Sequence, residues 1–85
     1  MSWTLVIASP AEKALRHVPS VDREHINGAF SEMCLNPFAG DVKSLRGGKG
    51  ALRRRVGDWR ILFDLHQDRR LIVVTAVKRR GSKTY

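Results

Sequence analysis

Residues 51–65 read ALRRRVGDWRILFDL, and residues 70–78 follow as RLIVVTAVK. Ala51 to Val56, Trp59 to Leu65 and Arg70 to Lys78 are three strand-like runs, rich in β-branched and aromatic residues. Gly57-Asp58 and His66-Gln67-Asp68-Arg69 separate them by turn-length segments, which implies an antiparallel meander. Successive strand residues point to opposite faces, so Trp59, Ile61, Phe63 and Leu65 share one face while Arg60, Leu62 and Asp64 share the other. That is the pattern of a sheet covered on one side only. The same alternation puts Arg53 and Arg55 on one face and Leu52, Arg54 and Val56 on the other, so Arg54 goes to the covered face or its rim. Leu71 to Val77 is apolar at both parities and is expected to be the most central strand.

Upstream, Trp3-Thr4-Leu5-Val6-Ile7 has the character of a strand, and Ser9-Pro10-Ala11-Glu12 reads as a capping box with proline at the first helical position. Ala11, Ala14, Leu15 and Val18 recur at helical spacing until Pro19. Ser20 is placed to cap a second helix, whose face is Ile26, Ala29, Phe30 and Met33. Asn36-Pro37 ends it, because the residue before proline avoids the α region. Gly28 within that helix suggests close packing on the sheet. Residues 36–50 hold four of the seven glycines and read as an extended loop. The expected architecture is α+β in the order βααβββ, a single domain over residues 1–85: a mainly antiparallel sheet with a helical hairpin packed on one face.

With 85 residues, the chain has no room for a separate cofactor domain, and it must act with a surface instead of a deep cleft. Sixteen Lys and Arg against eight Asp and Glu give a net charge of +8, which makes a polyanion the first expected partner. The excess is uneven: residues 1–35 carry three basic and four acidic side chains, residues 36–85 thirteen and four. The single cysteine, Cys34, excludes an internal disulfide framework and a Cys-based zinc site and fits a reducing compartment. The longest apolar stretch, Leu71 to Val77, is too short to cross a bilayer. A soluble, cytoplasmic protein without a membrane role is expected. His17, His25 and His66 show no metal-ligand spacing and read as surface residues, so neither metal nor cofactor is expected. Trp3 and Trp59 read as core or edge packing.

Arg53, Arg55 and Arg60 on the open face would bring three guanidiniums within reach of one another. Their mutual repulsion makes that arrangement costly without an anion. A guanidinium fork matches phosphate oxygens and stays charged at any working pH, so the cluster suits a phosphodiester, against the plainer reading of a solvated sheet face. The chain then delivers Lys78, Arg79 and Arg80, with Lys83 and Tyr85 behind them: either part of the same site or a basic tail. Lys49 in the glycine loop either touches nucleic acid or is a plain loop lysine.

The run Leu45-Arg46-Gly47, the run Leu52 to Phe63 with its Arg-Val-Gly-Asp-Trp-Arg-Ile-Leu-Phe core, and Val77-Lys78-Arg79-Arg80 with Tyr85 six residues after Arg79 resemble the RelE toxins of bacterial toxin–antitoxin systems. Ser9 to Leu15 and Asn36-Pro37 extend the resemblance over nearly the whole chain. It implies an mRNA interferase: a ribosome-dependent, metal-independent endoribonuclease acting on mRNA in the A site and silenced by a cognate antitoxin with an acidic segment. The 2′-OH would attack the adjacent phosphate. By the same resemblance Tyr85 is the proton acceptor, Arg79 stabilises phosphorane charge, Arg60 favours leaving-group departure, and Arg53 and Arg55 hold the RNA backbone; Lys49 and Arg80 are further RNA-binding candidates from their charge and place. A free tyrosine titrates near 10, and neighbouring cations favour its phenolate. The RelE/ParE superfamily also contains DNA gyrase poisons, so a ParE-like gyrase inhibitor and a non-catalytic RNA-binding module remain the alternative readings.

Overall fold

The computed structural model describes residues 2–45 and 51–79. Its elements are β1 (Thr4–Ile7), α1 (Ser9–Leu15), α2 (Ser20–Leu35), β2 (Asp41–Ser44), β3 (Ala51–Val56), β4 (Trp59–His66) and β5 (Leu71–Arg79), with a 3-10 turn at Gln67–Arg69 before β5. They form one five-stranded sheet in the order β1-β5-β4-β3-β2. β1 runs parallel to β5, and every other neighbouring pair is antiparallel. The meander predicted from residues 51–78 is present, and its first turn needs the positive φ (57°) that Gly57 supplies.

The two helices close one face of the sheet. Ala11, Val18, Ile26, Ala29, Phe30 and Met33 meet Leu52, Ile61, Phe63, Ile72, Val74 and Val77 in one buried cluster, with Trp3, Trp59 and Leu65 packed at its margin. Burying each large side chain contributes about 1.5–3 kcal/mol, so these few residues carry most of the driving force in so small a core. The α+β architecture with helices on one face is therefore as expected, and four details differ.

First, the loop expected over residues 36–50 contains the edge strand β2, so the order is βααββββ. Only Val42 among its four residues is apolar and half-buried. β2 exists because its backbone pairs with β3, from Asp41 opposite Arg55 to Ser44 opposite Leu52. Second, β4 and not Leu71 to Val77 lies at the centre. Third, neither serine caps its helix. The caps are Ala8 and Pro19, with no side-chain bond, and Ser9 and Ser20 are the first helical residues. Ala8 donates its N–H to the Val74 carbonyl at 2.8 Å and accepts from Glu12 at 2.9 Å, which ties the start of α1 to β5. Fourth, Gly28 is exposed on α2, and a Cβ built there meets nothing within 4 Å, so it does not mark close packing on the sheet.

Arg54 turns to the covered face, as its parity predicts, and is 8% exposed. It donates from Nη2 to Glu32 Oε1 at 2.6 Å, which links β3 to α2. Its guanidinium lies against Gly40, whose φ is +80°, and a Cβ there would come within 2.6 Å of Arg54 Cζ. That contact accounts for glycine at the entry to β2.

One irregularity controls the open face. Leu62 pairs with Ala76 but Phe63 pairs with Val74, which leaves Thr75 as an extra residue in β5. Its hydroxyl donates to the Leu62 carbonyl at 3.2 Å. A β-bulge of this kind resets the alternation along the strand. Ile72 and Val74 are buried before it and Val77 after it, three residues on instead of two.

Candidate functional site

The register lines charged side chains up across the open face. Asp41 on β2 stands opposite Arg55 on β3, Arg55 opposite Arg60 on β4, and Arg60 opposite Lys78 on β5. Directly paired residues share a face, and neighbouring strands are about 4.8 Å apart, so these four form a straight row across four strands. Arg55, Arg60 and Lys78 are all exposed. In the next row Lys43 faces Arg53, which faces Leu62. Arg53 is the more sheltered cation, with its Nη2 3.6 Å from Asp41 Oδ1.

Like charges directly opposite on a sheet destabilise it, by an amount comparable to the 0.2–1 kcal/mol (roughly) that favourable pairs contribute. Here two such pairs are adjacent, Arg55 with Arg60 and Arg60 with Lys78. Asp41 offsets only the β2 end of the row. The middle and the β5 end form a concentrated positive patch on an open surface, suited to an extended polyanion and not to a small buried ligand.

The structure brings together three of the residues singled out from the sequence, Arg53, Arg55 and Arg60. It places Arg79 differently. Arg79 pairs with Trp59, on the helix-covered side of the sheet's end, and its guanidinium lies 5.5 Å from the centre of the Trp59 ring. Trp59 in turn donates from Nε1 to Asp22 Oδ2 at 3.1 Å, so the indole under Arg79 is anchored to the first turn of α2. Trp3 has an analogous partner, with Arg70 4.7 Å from its ring centre. Lys49, Arg80 and Tyr85 lie outside the described residues. Sequence reasoning did not place Asp41 or Lys43 in the site, because both belong to the unforeseen β2; it brought Lys78 to the basic cluster without a face, and the bulge at Thr75 directs it to the open one.

A shallow groove between α2 and β3 is lined by Glu24, His25, Gly28, Glu32, Arg54 and Arg55. Its charges are mixed, and through Arg55 it adjoins the cation row.

No protein-family model and no curated protein matches the chain. Solved structures do. An archaeal RelE in complex with RelB from Pyrococcus horikoshii superposes with a TM-score of 0.86 at 23% identity, covering 98% of this chain and 100% of that one. The RelE of a RelB–RelE complex from Methanococcus jannaschii gives 0.76 at 28% identity, over 91% and 92% of the two chains. The chain has the RelE toxin fold. A YoeB/ParE toxin from Agrobacterium tumefaciens matches it as well, with a TM-score of 0.76 at 19% identity over 89% of this chain and 96% of that one. The RelE fold is thus common to toxins with different names. What this chain does rests on its own side chains.

Proposed function

We propose that this chain is the toxin of a type II toxin–antitoxin pair and acts as a ribosome-dependent mRNA endoribonuclease. The observation that supports it best is the row Arg55–Arg60–Lys78 on the open face, flanked by Arg53: a track of cations across three strands. Such a track binds a phosphodiester backbone and leaves the geometry of the reacting nucleotides to be fixed from outside, which is the role assigned to the ribosome.

In the proposed reaction the 2′-oxygen forms a bond to the adjacent phosphorus and the P–O5′ bond breaks, leaving a 2′,3′-cyclic phosphate and a 5′-OH. The 2′-OH proton passes to Tyr85. Arg60 stands over the phosphate and favours departure of the 5′-oxygen, which takes up a proton as it leaves. Arg53 and Arg55 hold the neighbouring backbone. Arg79, stacked on Trp59 at the end of β5, stabilises the charge that develops on the phosphorane. Fixed cations aimed at charge that develops on a phosphorane are the kind of electrostatic stabilisation that lowers such a barrier, and no metal is required. The partner is an antitoxin whose acidic segment folds on this positive face, with charge complementarity speeding association.

The test is a translating cell-free extract beside a DNA gyrase supercoiling assay. Truncated mRNA with unchanged supercoiling is expected. Intact mRNA with blocked supercoiling would replace this reading with a ParE-like one, and rapid cutting of naked RNA would replace it with a general ribonuclease.

A further inference from the structure

We infer that Lys78 is a further phosphate-binding residue, sharing one phosphate group with Arg60, and that the bulge at Thr75 is what aims it there. This rests on the reading of the open face as an RNA-binding surface and adds a residue to it. Strict alternation from Ile72 and Val74 would send Ala76 and Lys78 to the covered face and Arg79 to the open one. The extra residue Thr75 inverts that order: Val77 is buried opposite Ile61, Lys78 stands opposite Arg60 on the open face, and Arg79 goes over Trp59. Bulges recur next to functional sites because they re-aim a side chain in this way. Here the Thr75 hydroxyl fixes the bulge by donating to the Leu62 carbonyl, two residues from Arg60.

The electrostatics point to an anion shared by the pair. Among the described residues of the open face, Asp41 lies at the far end of the row, opposite Arg55 and 3.6 Å from Arg53, and Asp64 lies four residues along β4 from Arg60, opposite Ala51 and Val73. Arg60 and Lys78 have no such carboxylate opposite them, and their cross-strand placement opposes like charges. An anion between them removes the repulsion. A phosphate suits the pair, because arginine offers a planar fork and lysine a compact point charge that reaches another oxygen of the same group.

The experiment measures binding of a short single-stranded oligoribonucleotide, 2′-O-methylated so that it resists cleavage, to the full chain over a range of salt concentrations. Each phosphate contact on a single strand contributes about 0.7 to the slope of log affinity against log salt. Lys78→Ala is expected to flatten the slope by about that amount, Lys78→Arg to restore it, and Lys13→Ala on α1 to leave it unchanged. Because the two side chains hold one phosphate, Arg60→Ala combined with Lys78→Ala should lose less than the sum of the single losses. An unchanged slope in Lys78→Ala, strictly additive losses, or no binding by the parent chain at low salt would overturn the inference. A flattened slope in a protein that leaves mRNA intact in the translating extract would uphold the shared phosphate site and remove only the cleavage reading. Circular dichroism of each variant confirms that the fold is kept.

Discussion

On the covered face of the sheet Arg54, the one buried charge among the described residues, is held by Glu32 at 2.6 Å, whereas on the open face Arg55, Arg60 and Lys78 stand opposite one another in a row. The same three central strands carry both arrangements. On the covered side a charge without a partner would cost several kcal/mol of desolvation, so Arg54 comes with a carboxylate, and the residues buried around it are apolar. On the open side water screens the charges and repulsion is tolerable, so the face can hold an excess that serves a ligand and not the fold. Stability and function are thus assigned to opposite sides of one sheet, and mutations should separate them.

The largest effect should come from the covered face. Phe63, 1% exposed, fills the centre of the core from β4. Phe63→Ala is expected to cost about 3–5 kcal/mol, enough to unfold much of so small a domain, and chemical denaturation checks it. Ordinary stability in that variant would mean that the two faces are not specialised as described.

Next is Arg60, the middle of the cation row. Arg60→Ala should lower mRNA cleavage in translating extract by at least about 100-fold, as expected for removal of a transition-state donor, roughly 2.7–4 kcal/mol, with no loss of folding stability. Arg79→Ala is expected to match it in activity, although its side chain sits over Trp59. Unchanged cleavage in both variants would end the assignment of these residues.

How far the two faces could be read from the sequence differs along the chain. β3 and β4 were legible because Gly57-Asp58 fixes the phase of both strands at once: arginines alternate with Leu52 and Val56, and Arg60 with Ile61. β5 gave its existence but not its phase, since Val73-Val74-Thr75-Ala76-Val77 carries no polar marker that would show where the bulge falls. Which of Lys78 and Arg79 faces outward was therefore not legible. β2 was illegible for another reason. Asp41-Val42-Lys43-Ser44 has one apolar residue, and its strand character comes from pairing with a neighbour distant in sequence. The serine caps failed because Ala8 and Pro19 already begin the helices, Ala8 through backbone bonds to Val74 and Glu12.

A smaller effect tests the bond that holds the buried charge. Glu32→Ala leaves Arg54 Nη2 without its acceptor, and Nε and Nη1 already lack partners among the described residues. An unsatisfied buried donor costs about 1–3 kcal/mol. The Glu32 side chain is 61% exposed, so water replaces part of what is lost, and the lower part of that range is expected in thermal unfolding. Glu32→Gln, which keeps an acceptor, should recover most of it. Equal losses in the two variants would show that Arg54 depends on the packing of its stem and not on the bond.

The smallest effect has the opposite sign. Arg55 stands between Asp41 and Arg60, with an attractive neighbour on one side and a repulsive one on the other. Asp41 also lies 3.6 Å from Arg53, so its charge is shared between two arginines. Arg55→Gln removes the like-charge pair with Arg60 from an exposed position. The free protein should therefore become more stable by a few tenths of a kcal/mol, up to about 1, while its affinity for an oligoribonucleotide falls. The gain should shrink as salt is raised, because screening already weakens the repulsion it relieves. Thermal unfolding at low and high salt reads both parts. A variant that is less stable than the parent at low salt would show that Arg55 supports the sheet, and the division of labour between the two faces would fail at the point where the row is most crowded.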